Sequence, residues 1–214
     1  MAITINGSGT IAGISAGGLN DDAIAIADLS ATGTASATTF LRGDNAWAEA
    51  GGGKLLQVVS SIKTDTFTKG TSTDWLDIDG TDQAGSGSVW CCKITPSAAT
   101  SKVLILATLG LSTTYYGAGR LVRDSTAIGL GESAGSRTQG TFASGYASTG
   151  MIPAFSVPLL DSPSSTSELT YKIQVATPYS ASYGLSVNVP MTGDADGSYI
   201  TRPVSVLTLI EVAA

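Results

Sequence analysis

The chain contains no histidine, which excludes Ser-His-Asp and Cys-His nucleophile arrangements. Acid–base work would fall to carboxylates, and two of them flanking a sugar linkage could cleave a glycosidic bond. Asp77, Asp79, Asp82, Asp124, Glu132, Asp161, Asp194 and Asp196 are the candidates. The sequence places each in a turn rich in Gly, Ser and Thr, where Asp ordinarily bonds nearby backbone. That reading is preferred, and no enzymatic activity is expected. Two acidic turns, Asp77-Ile78-Asp79-Gly80-Thr81-Asp82 and Asp194-Ala195-Asp196-Gly197, could offer oxygens to calcium. An EF-hand frame starting at Asp77 puts Asp82 where glycine is needed and Ser88 where the closing glutamate is needed. No metal and no cofactor is expected. The adjacent Cys91 and Cys92 would point to opposite faces of a strand, and a disulfide between them would be strained. They read as small hydrophobes.

Binding chemistry is better represented. Tyr115 and Tyr116 are neighbours in Thr113-Thr114-Tyr115-Tyr116-Gly117, and Tyr179 and Tyr183 flank Ser180-Ala181-Ser182. Residues 131–150 read as a long loop without regular structure, carrying Arg137, Gln139, Phe142 and Tyr146. Loops of that length are usually functional or disordered. Tyrosines among Ser and Gly make rigid, amphipathic contact surfaces on which sugar rings can stack. Tyr115, Tyr116, Arg137, Tyr146, Tyr179 and Tyr183 are therefore the candidate receptor contacts, with a host surface polysaccharide as the ligand class. The alternative keeps the tyrosines as plugs at the ends of a sandwich or as seams between subunits.

The elements that must carry these loops are strands. Charged residues make up only 13% of the chain, and Ser, Thr, Ala and 26 Gly take their place, a mix suited to extended structure with tight turns. A net charge of −6 argues against a nucleic-acid partner. No apolar run is long enough for a spanning helix, so no membrane insertion is expected. Met1-Ala2-Ile3-Thr4 lacks the basic and apolar regions of a signal peptide, which points to synthesis in a cytoplasm. Alternating apolar residues bounded by turn clusters predict strands over 54–62, 65–68, 74–78, 89–94, 102–111, 120–123, 127–130, 152–160, 169–176, 184–189 and 204–212. No segment keeps a helical period. The expected fold is all-β, an antiparallel β-sandwich of jelly-roll-like form over residues 54–214.

Residues 1–53 differ. Ile3 and Ile5 alternate before an Asn6-Gly7 turn, and Asn20 could cap a short helix, although Ile24 and Ile26 alternate as a strand would. Isolated apolar residues among Gly, Ala, Ser and Thr cannot bury enough surface to fold alone. An extended arm that gains its core from copies of itself or from a partner is expected. The joint is Thr39-Phe40-Leu41-Arg42-Gly43-Asp44-Asn45-Ala46-Trp47, followed by Gly51, Gly52 and Gly53, which loosen the backbone. Phe40 and Trp47 flank a polar turn there, with Arg42 and Asp44 paired or solvated.

This joint resembles the Tyr/Phe-Leu-Arg-Gly-Asp-Gly/Asn-x-Trp element of bacteriophage tail-fibre proteins, especially those of marine phages. Gly13-Ile14-Ser15-Ala16-Gly17-Gly18-Leu19 and Ala27-Asp28-Leu29 are similar to shaft segments of such fibres. Gly119-Arg120-Leu121-Val122-Arg123, Ser125-Thr126-Ala127-Ile128-Gly129, Gly135-Ser136-Arg137-Thr138, Leu160-Asp161-Ser162-Pro163-Ser164 and Thr170-Tyr171-Lys172 resemble their C-terminal heads. The phage-like frame accounts for Arg42-Gly43-Asp44 better than an integrin-binding tripeptide does. The resemblance implies a structural virion protein. Residues 1–53 would dock to other virion proteins, and the head would face outward for host attachment. A capsid- or tail-decorating protein with no receptor role is the alternative, and a small glycan depolymerase a more distant one.

The resemblance also implies a homotrimer, for which the strand patterns suggest an interface. Val103, Ile105, Ala107, Leu109 and Leu111 make one apolar face, with Leu104 and Leu106 opposite. Val204, Val206, Ile210 and Val212 share a face with Thr208, and Leu207 and Leu209 lie opposite beside Ser205 and Glu211. If the more fully apolar face is the core in each strand, Leu104, Leu106, Leu207 and Leu209 protrude together as a patch that only assembly would cover.

Overall fold

The computed structural model describes residues 31–49, 54–69, 72–80, 87–145, 150–180, 182–191, 198 and 200–214. The expected strand, turn and cap within residues 1–30, and the shaft-like segments there, lie outside them. The chain divides into two compact units, Met1–Gly52 and Gly53–Ala214, with the division inside the triple glycine.

In the first unit, β1 (Thr39–Leu41) and β2 (Trp47–Glu49) form an antiparallel hairpin, with Phe40 opposite Ala48 and Leu41 opposite Trp47. The polar stretch between them is its turn. The Arg42 N–H donates to the Ala46 carbonyl at 2.9 Å, and the Asn45 N–H to the Arg42 carbonyl at 3.0 Å. Asn45 has φ 62°, a left-handed conformation that glycine and asparagine tolerate best. Arg42 and Asp44 pair at 3.1 Å, both exposed. Thr32 bridges to Ala46, and a Cβ at Gly33 would fall 2.7 Å from the Trp47 carbonyl oxygen.

The second unit is all-β and antiparallel throughout. Its strands are β3 (Leu55–Lys63), β4 (Phe67–Lys69), β5 (Leu76–Asp77), β6 (Cys91–Ile94), β7 (Lys102–Thr113), β8 (Gly117–Arg123), β9 (Thr126–Ile128), β10 (Phe142–Ser144), β11 (Ala154–Asp161), β12 (Leu169–Ala176), β13 (Leu185–Val187) and β14 (Ser205–Val212). In one sheet β14 lies between β3 and β7, and β11 covers the other edge of β7. In the other, β12 lies between β8 and the short pair β5 and β6, while β9 and β10 line the far edge of β8. The chain crosses between sheets after β4, after β6, after β7, after β10, after β11 and again after β12, the alternation of a jelly-roll-like sandwich. β13 and β4 extend the first sheet beyond the end of β14, against residues 111–113 of β7.

Both sheets bury their facing sides in one core. Val103, Ile105, Ala107, Leu109, Leu207 and Leu209 come from the first sheet, and Leu121, Tyr171, Ile173 and Val175 from the second. Cys91 and Cys92 are buried and unbridged. Burial, with Cys91 alongside, pushes the Cys92 thiol up to about 12, so it stays an uncharged packing group. β10 emerges inside the stretch expected to be an irregular loop. Its Phe142 ring lies directly over Gly119, where a Cβ would sit 2.0 Å from the ring, and stacks on Phe155 of β11 at 6.1 Å. Phe142 is thus half-buried against the core at the gap between the sheets.

The expected face of β7 is observed, but that of β14 is reversed. Leu207 and Leu209 are 0% exposed and belong to the core, so they cannot form a protruding patch. Val206, Thr208, Ile210 and Val212 point outward. The reason is that the two polar residues sharing the inward face have dedicated partners. At the far end of β14, Glu211 accepts from the Ser97 hydroxyl at 2.6 Å and from the Ser97 N–H at 2.7 Å. Burial alone would raise the Glu211 carboxyl, but these bonds outweigh it and hold it below its ordinary value. At the near end, Ser205 donates to the Asn188 side-chain oxygen at 2.7 Å and accepts from the Gly110 N–H at 3.1 Å.

Asn188 is the hub of that end. Its side-chain N–H groups donate to the carbonyls of Lys63 and Asp65 at 2.9 and 3.1 Å, and its backbone N–H donates to Gly110 at 3.0 Å. It ties β3, β7, β13 and β14 together while 1% exposed and at φ 59°. Replacing Asn188 by Ala orphans buried acceptors and a hydroxyl, and leaves a β-carbon in a left-handed conformation. The expected loss in urea unfolding is about 3 kcal/mol. A loss below about 1 kcal/mol would show that water substitutes for the amide.

Candidate functional site

The tyrosines gather at one end of the sandwich. Tyr115 and Tyr116 lie in the tight connection between β7 and β8, and Tyr179 and Tyr183 in the connection between β12 and β13. These connections are stitched together by backbone. The Thr114 N–H donates to the Gly184 carbonyl at 3.3 Å, the Gly184 N–H to the Thr114 hydroxyl at 3.2 Å, and the Thr113 hydroxyl to the Gly184 carbonyl at 3.2 Å. The Tyr183 N–H donates to Ser180 at 3.3 Å, which turns the second connection back on itself.

The rings form two layers. Tyr115 and Tyr183, both half-buried, stack at 4.8 Å with 17° between planes. Tyr116 and Tyr179, both exposed, stand against them: Tyr115 to Tyr116 is 4.4 Å edge-on, Tyr115 to Tyr179 is 5.2 Å, and Tyr116 to Tyr179 is 5.8 Å. Edge-on and offset rings are the favoured aromatic geometry, so the inner pair fixes the orientation of the outer pair.

The outer pair borders an open hollow of about 670 Å³, whose walls also include Arg137, Thr138, Ser144 and Pro178. A second hollow of about 350 Å³ shares Ala118, Arg137, Thr138 and Ala143 with it and continues past Glu132 and Gln139. Arg137 stands on the wall common to both. Its guanidinium donates to the Ala134 carbonyl at 3.3 Å, and no carboxylate pairs with it among the described residues. Gln139 donates to the Gly131 carbonyl at 2.8 Å, holding the loop closed. The arrangement offers ring faces, one cation and several hydroxyls along a groove, which suits an extended polar ligand better than a compact apolar one.

Five of the six expected contacts therefore fall into one neighbourhood, and Tyr146 lies outside the described residues. Thr138, Ser144 and Pro178 carry no sequence signal of their own. Thr138 and Ser144 come alongside Tyr116 because β10 pairs with β8, and Pro178 is a wall because it precedes Tyr179 in the connection between β12 and β13.

The carboxylates form no such constellation among the described residues. Asp77 and Asp161 are strand residues and not turn residues. Asp77 accepts from Lys172 and Gln174, each at 2.8 Å. Asp161 accepts from Arg123 at 2.6 Å and from the Tyr171 hydroxyl at 2.7 Å, linking the two sheets. Burial and the Asp161 carboxylate push the Tyr171 hydroxyl far above its ordinary value. Asp79 lies 3.6 Å from the buried Lys63 ammonium, and Asp124 accepts the Thr170 N–H at 2.9 Å. Asp82, Asp194 and Asp196 lie outside the described residues. No group of three or more His, Cys, Asp or Glu gathers among the described residues.

No protein-family model matches the chain, and no curated protein matches it either.

The Tyr116 hydroxyl raises Tyr115 above the ordinary tyrosine value by charge repulsion and hydrogen bonding, with desolvation, Tyr179 and Tyr183 adding to it. Folded Tyr115 thus keeps its proton to higher pH than the unfolded chain does. Its contribution is present below about pH 10 and is lost as pH rises through the raised value. Phenolate absorbance should show late titration of both Tyr115 and the buried Tyr171, and Tyr116→Phe should bring only the Tyr115 step back toward the ordinary range. A late Tyr115 step left unmoved by the substitution would mean that the rings are not in contact in solution.

Proposed function

We propose that the chain is a non-enzymatic structural protein of a virus particle, of the fibre type. Its β-sandwich head presents the tyrosine end to a host surface polysaccharide. The observation that carries the ligand class is the outer pair, Tyr116 and Tyr179, held on an inner pair and facing a groove with Arg137 on its wall. Flat ring faces suit the C–H faces of sugar rings. An arginine fork suits a carboxylate or phosphate on the chain of sugars. The fibre role rests on the joint and head motifs, and on an arm too poor in apolar residues to fold unaided. In this reading the copies form a homotrimer, residues 1–53 dock to other virion proteins, and the head is outermost.

Two experiments test this. Purified head should bind acidic capsular or lipopolysaccharide preparations from host bacteria, and Tyr179→Ala and Arg137→Ala should each weaken binding at least about fivefold, or ~1 kcal/mol. No oligosaccharide should be released on prolonged incubation. A head that binds no polysaccharide fits the decorating role instead, and release that depends on an Asp pair would make the protein a depolymerase.

Deleting residues 1–53 should leave a cooperatively folding head that no longer joins the particle. Normal incorporation of the truncated chain would remove the docking role from the arm.

A further inference from the structure

The two sheets turn very different outer faces to their surroundings. On the β8–β12 sheet the outer face is a polar network. Lys172 pairs with Asp77 at 2.8 Å, Arg120 donates twice to Gln174 at 2.9 and 2.6 Å, and the Arg120 guanidinium lies 4.4 Å from the Trp75 ring centre. This face is built for water. The outer face of β3, β14, β7 and β11 contains no charged side chain over its central rows. Register places Val58, Ile210, Leu104 and Leu160 side by side across it. The next row is Ser60, Thr208, Leu106 and Pro158, and the one after begins with Ile62 and Val206. Even the polar pair in the middle is self-satisfied, since the Ser60 and Thr208 hydroxyls bond each other at 2.9 Å. Val58 is 61% exposed and Ile62 59%.

We infer that this face is where copies of the chain pack against one another. Strand spacing and rise give the three rows, the last of which ends in Thr108 and Ser156, a footprint of roughly 19 by 20 Å, or about 400 Å². That is the size of the largest apolar patch on a typical monomer, and such patches are often functional. It is also about half of the roughly 800 Å² that each partner commits to a standard interface, the share expected of an apolar centre inside a polar rim. Charge selects the occupant. Each copy carries −6 overall, so contact between copies is least opposed where the meeting surfaces carry no carboxylate, and the central rows of this face carry none. Its central rows offer no charged group to a polysaccharide or to a charged protein, Lys102 standing one row beyond them. Other copies of the same uncharged sheet face are its complement, and three such faces turned toward one axis cover one another and close the assembly.

Light scattering on the full chain at micromolar concentration should give more than one copy per particle. Ile62→Asp with Leu106→Asp should give monomers whose far-ultraviolet circular dichroism matches wild type, because both side chains point away from the core. Should that double variant fail to fold, Ser60→Cys serves as a second test. A short thiol crosslinker should join copies through position 60 in the otherwise unchanged protein, the native Cys91 and Cys92 being buried. A monomeric wild-type chain, an Asp variant with undiminished assembly, or crosslinking no better at position 60 than at a cysteine placed at Thr170 would each overturn the inference. Failure here leaves the glycan reading intact, since the tyrosine end belongs to a different part of the head.

Discussion

The head closes around one buried amide. Asn188 reaches four separated stretches of chain, and each of its side-chain groups has a partner. The sheets could not end where they do without it. β3 must stop at Lys63, β7 must continue past β14 to pair with β13, and β14 must start with a serine facing inward. Each of those events leaves backbone or hydroxyl groups away from water, where an unmade hydrogen bond costs more than a made one gains. The amide satisfies them together. The opposite end of β14 is held by Glu211 on Ser97, so the strand is pinned by polar contacts at both ends and by Leu207 and Leu209 between them.

These pins explain where sequence reasoning held and where it failed. Strand positions were legible because period-two alternation is strong in β7, β11, β12 and β14, and β12 was placed without error at both ends. The inward face of β7 was legible too, because it is unbroken. On β14 the counting rule chose the wrong face. Two leucines flanked by Ser205 and Glu211 look less apolar than a face of three valines, an isoleucine and a threonine. What the sequence cannot display is that Ser205 and Glu211 have partners 17 and 114 residues away. β10 was hidden for a related reason. Phe142 looks like a loop aromatic until the glycine beneath its ring, Gly119, is known to be there.

The site was partly legible. Pairs of tyrosines in two turns between strands announced a contact surface, and the jelly-roll path brings those turns to the same end of the molecule. Their layering was not legible, because which ring stands in front depends on the hydrogen bonds that join Thr114 to Gly184. The carboxylates show the converse. Their number suggested possible chemistry, yet Asp77, Asp161 and Asp124 are each committed to cations, hydroxyls or backbone that hold strands together.

The stitching of the two tyrosine connections by backbone and threonine atoms has an evolutionary consequence. The hydrogen bonds that shape this end run through Thr113, Thr114 and Gly184, and the exposed rings of Tyr116 and Tyr179 contribute no hydrogen bond to the core. Those two positions can change identity while the loops keep their path and the sandwich keeps its stability. Losing one of these rings gives up aromatic contacts worth about 0.5–1.5 kcal/mol per pair, a small part of what holds a domain folded. A lineage can therefore sample new ligand preferences one residue at a time, from a scaffold that never passes through an unfolded intermediate sequence.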